Sequence, residues 1–287
     1  MTTVNREYKD RVFKFLFGNP NNREWTLALY NAINGSNYDN PQDIQFNTIE
    51  DAVYLGMQND ASFIIITELN MWEHQSSYNP NEPMRFFLYG AKLYEKYIAV
   101  SEYNSYSRKL QKIPCPKCIC FYNGTEDQPE KKILRLSEAF DGKGDIEVTV
   151  TMLNINYGKN RKLMEACKPL NEYAWLVESI RKHQNEEKNL EIAIDATLNE
   201  IPEDFLIRSF LLSNKAEVKG MFLTEYNQEK VLEQERREGI TQGVEQTNER
   251  IAKDMLIDGK PLNEIKKYSR LAEDVIRNLA KTLNIIV

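Results

Sequence analysis

Histidine is almost missing from this chain: His74 and His183 are the only two. A zinc centre built on imidazoles therefore has no material, and serine-triad hydrolysis has little support, because no glycine-flanked serine elbow is present either. Cysteine is also scarce, at four residues: 115, 118, 120 and 167. Cys115-Pro116-Lys117-Cys118 has the spacing of half a zinc knuckle, but the second pair that closes a four-ligand site is lacking. A thioredoxin-like role needs a βαβ setting that the flanking pattern does not supply. The cysteines read instead as part of a strand leading to Tyr122-Asn123-Gly124. No apolar run approaches the roughly 18 residues that span a bilayer. The first seven residues, Met1 to Glu7, lack the charged-then-apolar layout of a signal peptide. A cytoplasmic chain with no membrane partner is the expectation. Glycines are few, and Asp141-Gly142-Lys143-Gly144 lacks the helix that a phosphate loop opens.

Excess positive charge is missing too. The net charge is −6, which does not advertise nucleic-acid binding, although local clustering rather than the sum sets an electrostatic footprint. The candidate clusters are Arg108-Lys109 with Lys112 and Lys117, Lys131-Lys132 with Arg135, and Lys159 with Arg161-Lys162. Each reads more readily as a solvated face than as a phosphate contact. Hydrophobic residues make up 41% and charged residues 28% of 287, enough for one good-sized core plus an appendage.

The informative text lies between Asn59 and Gln75. Asn59-Asp60-Ala61-Ser62-Phe63-Ile64-Ile65-Ile66 is apolar and β-branched after its leading acid. Leu69-Asn70-Met71-Trp72-Glu73-His74-Gln75 alternates, with Leu69, Met71, Glu73 and Gln75 on one face. A hairpin with Thr67-Glu68 as a two-residue loop sets Ile66 against Leu69, Ser62 against Glu73 and Asp60 against Gln75. Asp60 and Glu73 then become diagonal neighbours, roughly 7–8 Å apart at Cβ. Two converging carboxylates can share a hard divalent cation such as Mg2+, or another divalent ion in its place. A loop one residue longer or shorter points them to opposite faces, and strand-end acids facing solvent are the plainer alternative. His74 points away from Gln75 and is expected to make a structural hydrogen bond.

Glu73-His74-Gln75-Ser76-Ser77-Tyr78-Asn79-Pro80-Asn81-Glu82-Pro83-Met84-Arg85, followed by Tyr89, resembles the recombination-promoting, transposase-like nuclease family within the PD-(D/E)XK nuclease superfamily. Further matching text is Asp10-Arg11-Val12-Phe13-Lys14-Phe15-Leu16-Phe17-Gly18, Phe121-Tyr122-Asn123-Gly124, Asn154-Ile155-Asn156, Asn160 and Leu170-Asn171-Glu172-Tyr173. The resemblance spans roughly residues 5–230. It implies an α/β fold whose mixed, largely antiparallel sheet is flanked by helices, a restriction-endonuclease-like core, here followed by a C-terminal helical extension. It also implies a Mg2+-dependent endonuclease acting on double-stranded DNA, linked to recombination. Asp60, Glu73 and Gln75 would form the catalytic set, with Asp60 and Glu73 on the metal. Many superfamily members carry a lysine where Gln75 stands. Glutamine holds no permanent charge, so it could orient the attacking water while metal charge does more of the activation. A helical glutamate often joins the metal shell; Glu24 is the candidate and Glu50 the reserve.

Pro83 suits the first turn of a helix running to about residue 100, on which Arg85, Tyr89, Lys92 and Lys96 form one stripe. That stripe either meets the scissile phosphate or is a surface face with Tyr89 half-buried. Residues 8–34 predict one or two helices, and strands are expected at 44–50, 52–57, 117–122 and 146–152. Asp145 and Glu147 form a rival acid pair on the last of these. Helices are expected at 160–183 and 189–228. The chain from Gln228 to Arg250, rich in Glu, Gln and Arg, reads as a solvated connector or half of a self-associating pair, hence a candidate homo-oligomer contact. The apolar positions from Ile257 to Leu279 predict a small helical cap, with a DNA-contacting helix-turn-helix as the alternative. The expected units are 1–185 (nuclease-like core), 186–230 (helical adjunct) and 231–287 (connector and cap). A DNA-binding or self-assembling module that keeps the fold without catalysis is the competing function.

Overall fold

The computed structural model describes residues 11–46, 61–187, 189–283 and 285. The chain divides into two compact units, one ending at Glu225 and the other beginning at Tyr226.

The first unit is built on a six-stranded sheet of order β1-β2-β3-β4-β6-β5. Its strands are β1 (Ile44–Phe46), β2 (Ala61–Ile65), β3 (Glu68–Gln75), β4 (Cys115–Tyr122), β5 (Lys131–Arg135) and β6 (Thr149–Asn154). β1, β2 and β3 form an antiparallel meander, β3, β4 and β6 run parallel, and β5 closes the far edge antiparallel to β6. The architecture is therefore the mixed, mostly antiparallel α/β arrangement expected. Strand alternation sets two layers. Leu69, Met71, Cys120, Tyr122, Val150 and Met152 meet Phe86, Tyr89 and Leu93 of α3 (Glu82–Val100). On the other face, Trp72, His74, Phe63 and Phe121 meet Phe13 of α1 (Arg11–Phe17), Tyr30 of α2 (Arg23–Asn34) and a tyrosine of a later helix, Tyr173. Full burial of an aromatic such as Trp72 or Phe63 is worth about 1.5–3 kcal/mol each, so these two interfaces hold the sheet.

Of the one or two helices expected over 8–34 there are two, separated by a 3-10 turn at Pro20–Asn22 where the Asn19 side chain accepts from the Asn21 amide. α2 stops where Gly35 adopts φ 63°, a left-handed cap that any side chain would strain. The expected strand at 52–57 lies outside the described residues. β5 was not anticipated. It is an edge strand in which Leu134 is the sole buried residue, so the basic residues around it carry no alternation that marks a strand.

After β6 come α4 (Arg161–Ala166), α5 (Lys168–Glu187), α6 (Leu190–Glu200), α7 (Arg208–Ser213) and α8 (Lys215–Ile257). Asn189 caps α6 by accepting from the Glu191 and Ile192 amides.

The second unit contains α9 (Leu262–Ser269) and α10 (Glu273–Thr282). Its core is Ala252, Leu256, Ile265, Ile276 and Ala280. Ile257, read as part of that core, is 66% exposed. Its helical spacing was ambiguous, and Leu256 takes the inward position. Glu273 and Asp274 occupy the first turn of α10. That charge suits the helix dipole but would repel phosphates from the end that a recognition helix presents.

Candidate active site

β3 carries alternating side chains to two different layers, and this alone separates Glu73 from His74. Glu73 faces α3, opposite Cys120 of β4, and is 2% exposed. Asn79 and Asn81 bend the chain after β3, with the Asn81 amide donating to Asn79 Oδ1 at 3.0 Å. Pro83 then fits the first turn of α3, where its missing amide is harmless. This short return brings Arg85 back over the sheet. Its guanidinium donates to Glu73 Oε1 at 3.1 Å, to Glu82 Oε1 at 2.9 Å and to the Tyr89 hydroxyl at 3.0 Å. Glu82 is fully buried and also accepts from Asn79 Nδ2 at 2.8 Å. Its second oxygen, Oε2, is buried with no hydrogen-bond partner among the described residues.

Two buried carboxylates thus share one arginine. Burial works against the Arg85 charge, but Glu73 and Glu82 outweigh it and raise the guanidinium pKa. Burial, then the Glu73 charge, pushes the Tyr89 hydroxyl upward, so it stays protonated and available as a donor. With both carboxylates ionised, the cluster keeps one net negative charge beneath α3.

The hairpin register differs from the expectation. Ile65 pairs with Glu68, Ile64 with Leu69 and Ser62 with Met71, so Ile66-Thr67 is the loop. The displacement is two residues, which leaves every side chain on its expected face. Glu68 is drawn into the ladder because its carboxylate accepts from the Tyr30 hydroxyl at 2.8 Å and lies 3.5 Å from Lys117 Nζ. Ile66 takes the turn instead, at φ 55°. The described pairing ends at Ala61 opposite Trp72, and Glu73 is the next residue of β3. Asp60 and Glu50 lie outside the described residues. Glu24 is exposed on α2, in the layer on the other side of the sheet from Glu73. Gln75 is 8% exposed on the Glu73 face, and its carbonyl accepts from the Asn123 amide at 2.9 Å. The stripe on α3 divides: Tyr89 is buried at 1%, Arg85 is engaged by two acids, and Lys92 is partly buried a turn further along.

Among the described residues, no group of three or more His, Cys, Asp or Glu side chains is assembled to hold a metal. No family model matches the chain, and no curated protein or solved structure matches it either.

The asparagines and aromatics at the carboxyl ends of the parallel strands have another task. Tyr173 Oη lies 3.0 Å from His74 Nε2 and accepts from Asn123 Nδ2 at 3.4 Å, while Phe13 stacks on the His74 ring at 5.0 Å. Asn156 Nδ2 donates to the Gly124 carbonyl at 3.0 Å, and Arg181 donates to Asn156 Oδ1 at 2.9 Å and to the Asn123 carbonyl. Asn160 donates to the Asn154 carbonyl at 2.7 Å. A Cβ on Gly124 would collide with the Ser76 carbonyl and sit 2.7 Å from Tyr122 Cε2, so glycine is required where these two loops touch. Glu172, 1% exposed, accepts from the Leu206 and Ile207 amides at 2.9 and 3.0 Å. These residues pin loops together, and His74 makes the structural hydrogen bond read from its strand position.

The rival pair is not a pair. β6 begins at Thr149, and Glu147 instead accepts from the Ser137 amide and hydroxyl at 3.2 and 2.5 Å, which lowers its pKa. Glu82 is the residue the sequence reading passed over. An acid at the first position of a helix is ordinary, and its spacing of three before Arg85 was the one available signal.

Proposed function

We propose that this chain is a metal-dependent endonuclease that hydrolyses phosphodiester bonds in double-stranded DNA, with Asp60 and Glu73 as the carboxylates that would hold the metal. The observation that carries the reading is Glu73: a buried carboxylate near the end of the interior strand β3, facing a second buried carboxylate, Glu82, across one arginine. The donor chemistry that suits a hard cation comes from Glu73 and Glu82, whose carboxylates offer oxygen, and Glu82 Oε2 lacks a partner among the described residues; Arg85 holds the place of positive charge between them. Asp60 would complete the set that the described residues alone do not assemble. When bound, a divalent cation of this kind polarises a phosphate oxygen and lowers the pKa of a bound water.

The chain's own groups have defined tasks in this reading. Glu73 binds and orients through its carboxylate. Gln75, neutral and on the same face, holds a water by hydrogen bonding rather than by charge. Arg85 neutralises Glu73 in the resting protein and, being 38% exposed at its side chain, is placed to meet a phosphate oxygen. Tyr89 holds the guanidinium in position.

One observation favours a second reading, a DNA-binding or self-assembling module without catalysis. Arg85 already pairs with Glu73 Oε1, and position 75 carries no lysine. The two readings divide on one assay. Purified protein is incubated with supercoiled plasmid and Mg2+, with and without EDTA, beside Asp60→Ala and Glu73→Ala. The endonuclease reading expects nicking that EDTA and each substitution abolish. A folded wild-type protein that leaves the plasmid supercoiled refutes it and selects the module.

A further inference from the structure

We infer that the loop joining α3 to β4, residues 101–114, is a nucleic-acid-binding element that grips a duplex through Arg108, Lys109 and Lys112, with Tyr106 and Leu110 set against the sugar–base edge. The inference takes from the endonuclease reading only that DNA is the partner.

Charge separates this loop from the rest of a chain that is net −6. No carboxylate occurs between Glu102 and Glu126, whereas Arg108, Lys109, Lys112 and Lys117 all do. Lys117 is occupied by Glu68, 3.5 Å away. Arg108, Lys109 and Lys112 are exposed and have no ion-pair partner among the described residues. Unpaired cations in an acidic protein make a local positive footprint.

Two large side chains stand out in the same stretch. Tyr106 and Leu110 are each 94% exposed, beyond anything else of their size among the described residues. A tyrosine beside cations is the composition that stacks on or wedges against bases, and an exposed leucine four residues on can supply an apolar wedge. The loop is also shaped in advance. The Tyr106 amide donates to Asn104 Oδ1 at 2.9 Å, the Lys109 amide to Ser107 Oγ at 3.1 Å, and Gln111 Nε2 to the same oxygen at 3.3 Å. Its far end is fixed by the Tyr94 hydroxyl on the Pro114 carbonyl at 2.6 Å. A shaped loop gives up less conformational entropy on binding.

Position favours a duplex over an anionic membrane. Cys115, where the loop enters the sheet, pairs with Glu68, and Cys120 pairs with Glu73. Five strand residues separate those points, about 17 Å at roughly 3.3 Å per residue. Half a turn of B-form DNA covers about the same 17 Å. The loop's anchor and the candidate carboxylates can therefore address one duplex half a turn apart, while membrane-surface binders present an amphipathic helix that this loop lacks.

The test uses the full chain and a short labelled duplex in EDTA, with binding followed by fluorescence anisotropy across a salt series. Three substitutions together, Arg108→Ala, Lys109→Ala and Lys112→Ala, should reduce the slope of log K against log salt by about 2.7, at roughly 0.9 per phosphate contact. Tyr106→Ala with Leu110→Ala should weaken binding about tenfold with the slope unchanged. Exposed positions predict native circular dichroism for both variants. A triple variant whose slope equals the wild type overturns the inference. So does a wild type that ignores duplex and binds phosphatidylserine vesicles through the same three residues. Mg2+-dependent nicking retained at a wild-type slope would refute the loop and leave the endonuclease standing. A lost slope with no nicking by the wild type would do the reverse.

Discussion

Replacing Arg85 by alanine tests the centre of the candidate site without assuming any activity. Arg85 separates two carboxylates whose side chains are 3% and 0% exposed. Removing one member of a fully buried ion pair costs about 3–5 kcal/mol. The Arg85 side chain is itself 38% exposed, so water screens part of the loss, and about 2–3 kcal/mol at neutral pH is expected. At about 2–4 °C per kcal/mol for a unit of this size, the melting temperature should fall by about 4–12 °C. The sign of the pH dependence follows from charge. Arg85→Ala leaves two buried negative charges, and protonating either relieves the repulsion. The deficit is therefore largest where both carboxylates are ionised and shrinks as acid protonates one of them. Urea unfolding at several pH values, read by tryptophan fluorescence, gives both numbers. Magnesium supplies a further arm: if the carboxylates accept a cation, a ligand at about 100 times its Kd restores about 2.7 kcal/mol to the variant. A variant within about 0.5 kcal/mol of wild type at every pH, a margin usual for bland surface changes, would refute the claim that Arg85 offsets the charge of a buried carboxylate pair.

Three further outcomes are expected. Glu172→Ala should cost about 2–6 kcal/mol in guanidinium unfolding, because the Leu206 and Ile207 amides lose their acceptor, and each such amide is worth about 1–3 kcal/mol. Gly124→Ala should cost about 1–3 kcal/mol in the same assay, since the added methyl meets the Ser76 carbonyl and the Tyr122 ring. With a disulfide-exchange reagent at pH 8, exposed Cys115 should react first. Burial pushes the Cys118 and Cys167 thiols up to about 12. Their thiolate fraction is then about 10⁻⁴, and fast labelling of Cys167 in the native protein would contradict the packing around α5.

What could be read from the chain in advance follows from how local each cause is. The facing of Glu73, Gln75 and His74 was legible because strand alternation is decided within β3 itself, and a two-residue register shift preserves it. The register was not legible, because it turns on Glu68 being held by Tyr30 from α2 and by Lys117 from β4, two partners that no hairpin rule contains. The burial of Glu82 was hidden for the same reason. Its neighbours in sequence describe an ordinary helix start, while Arg85 and Asn79 turn it inward only once α3 lies on the sheet. The asparagines near the strand ends belong to this class too. Asn123, Asn156 and Asn160 stood out as a pattern in the text, yet their work is to join loops from β4, β6 and α5, a role visible only when those loops share one edge. The two kinds of residue predict different responses to mutation. Substitutions at the asparagine pins should lower stability and activity together, whereas Glu73→Gln, which keeps shape and a hydrogen-bonding oxygen for Arg85, should abolish nicking while leaving the melting temperature within a few degrees of wild type.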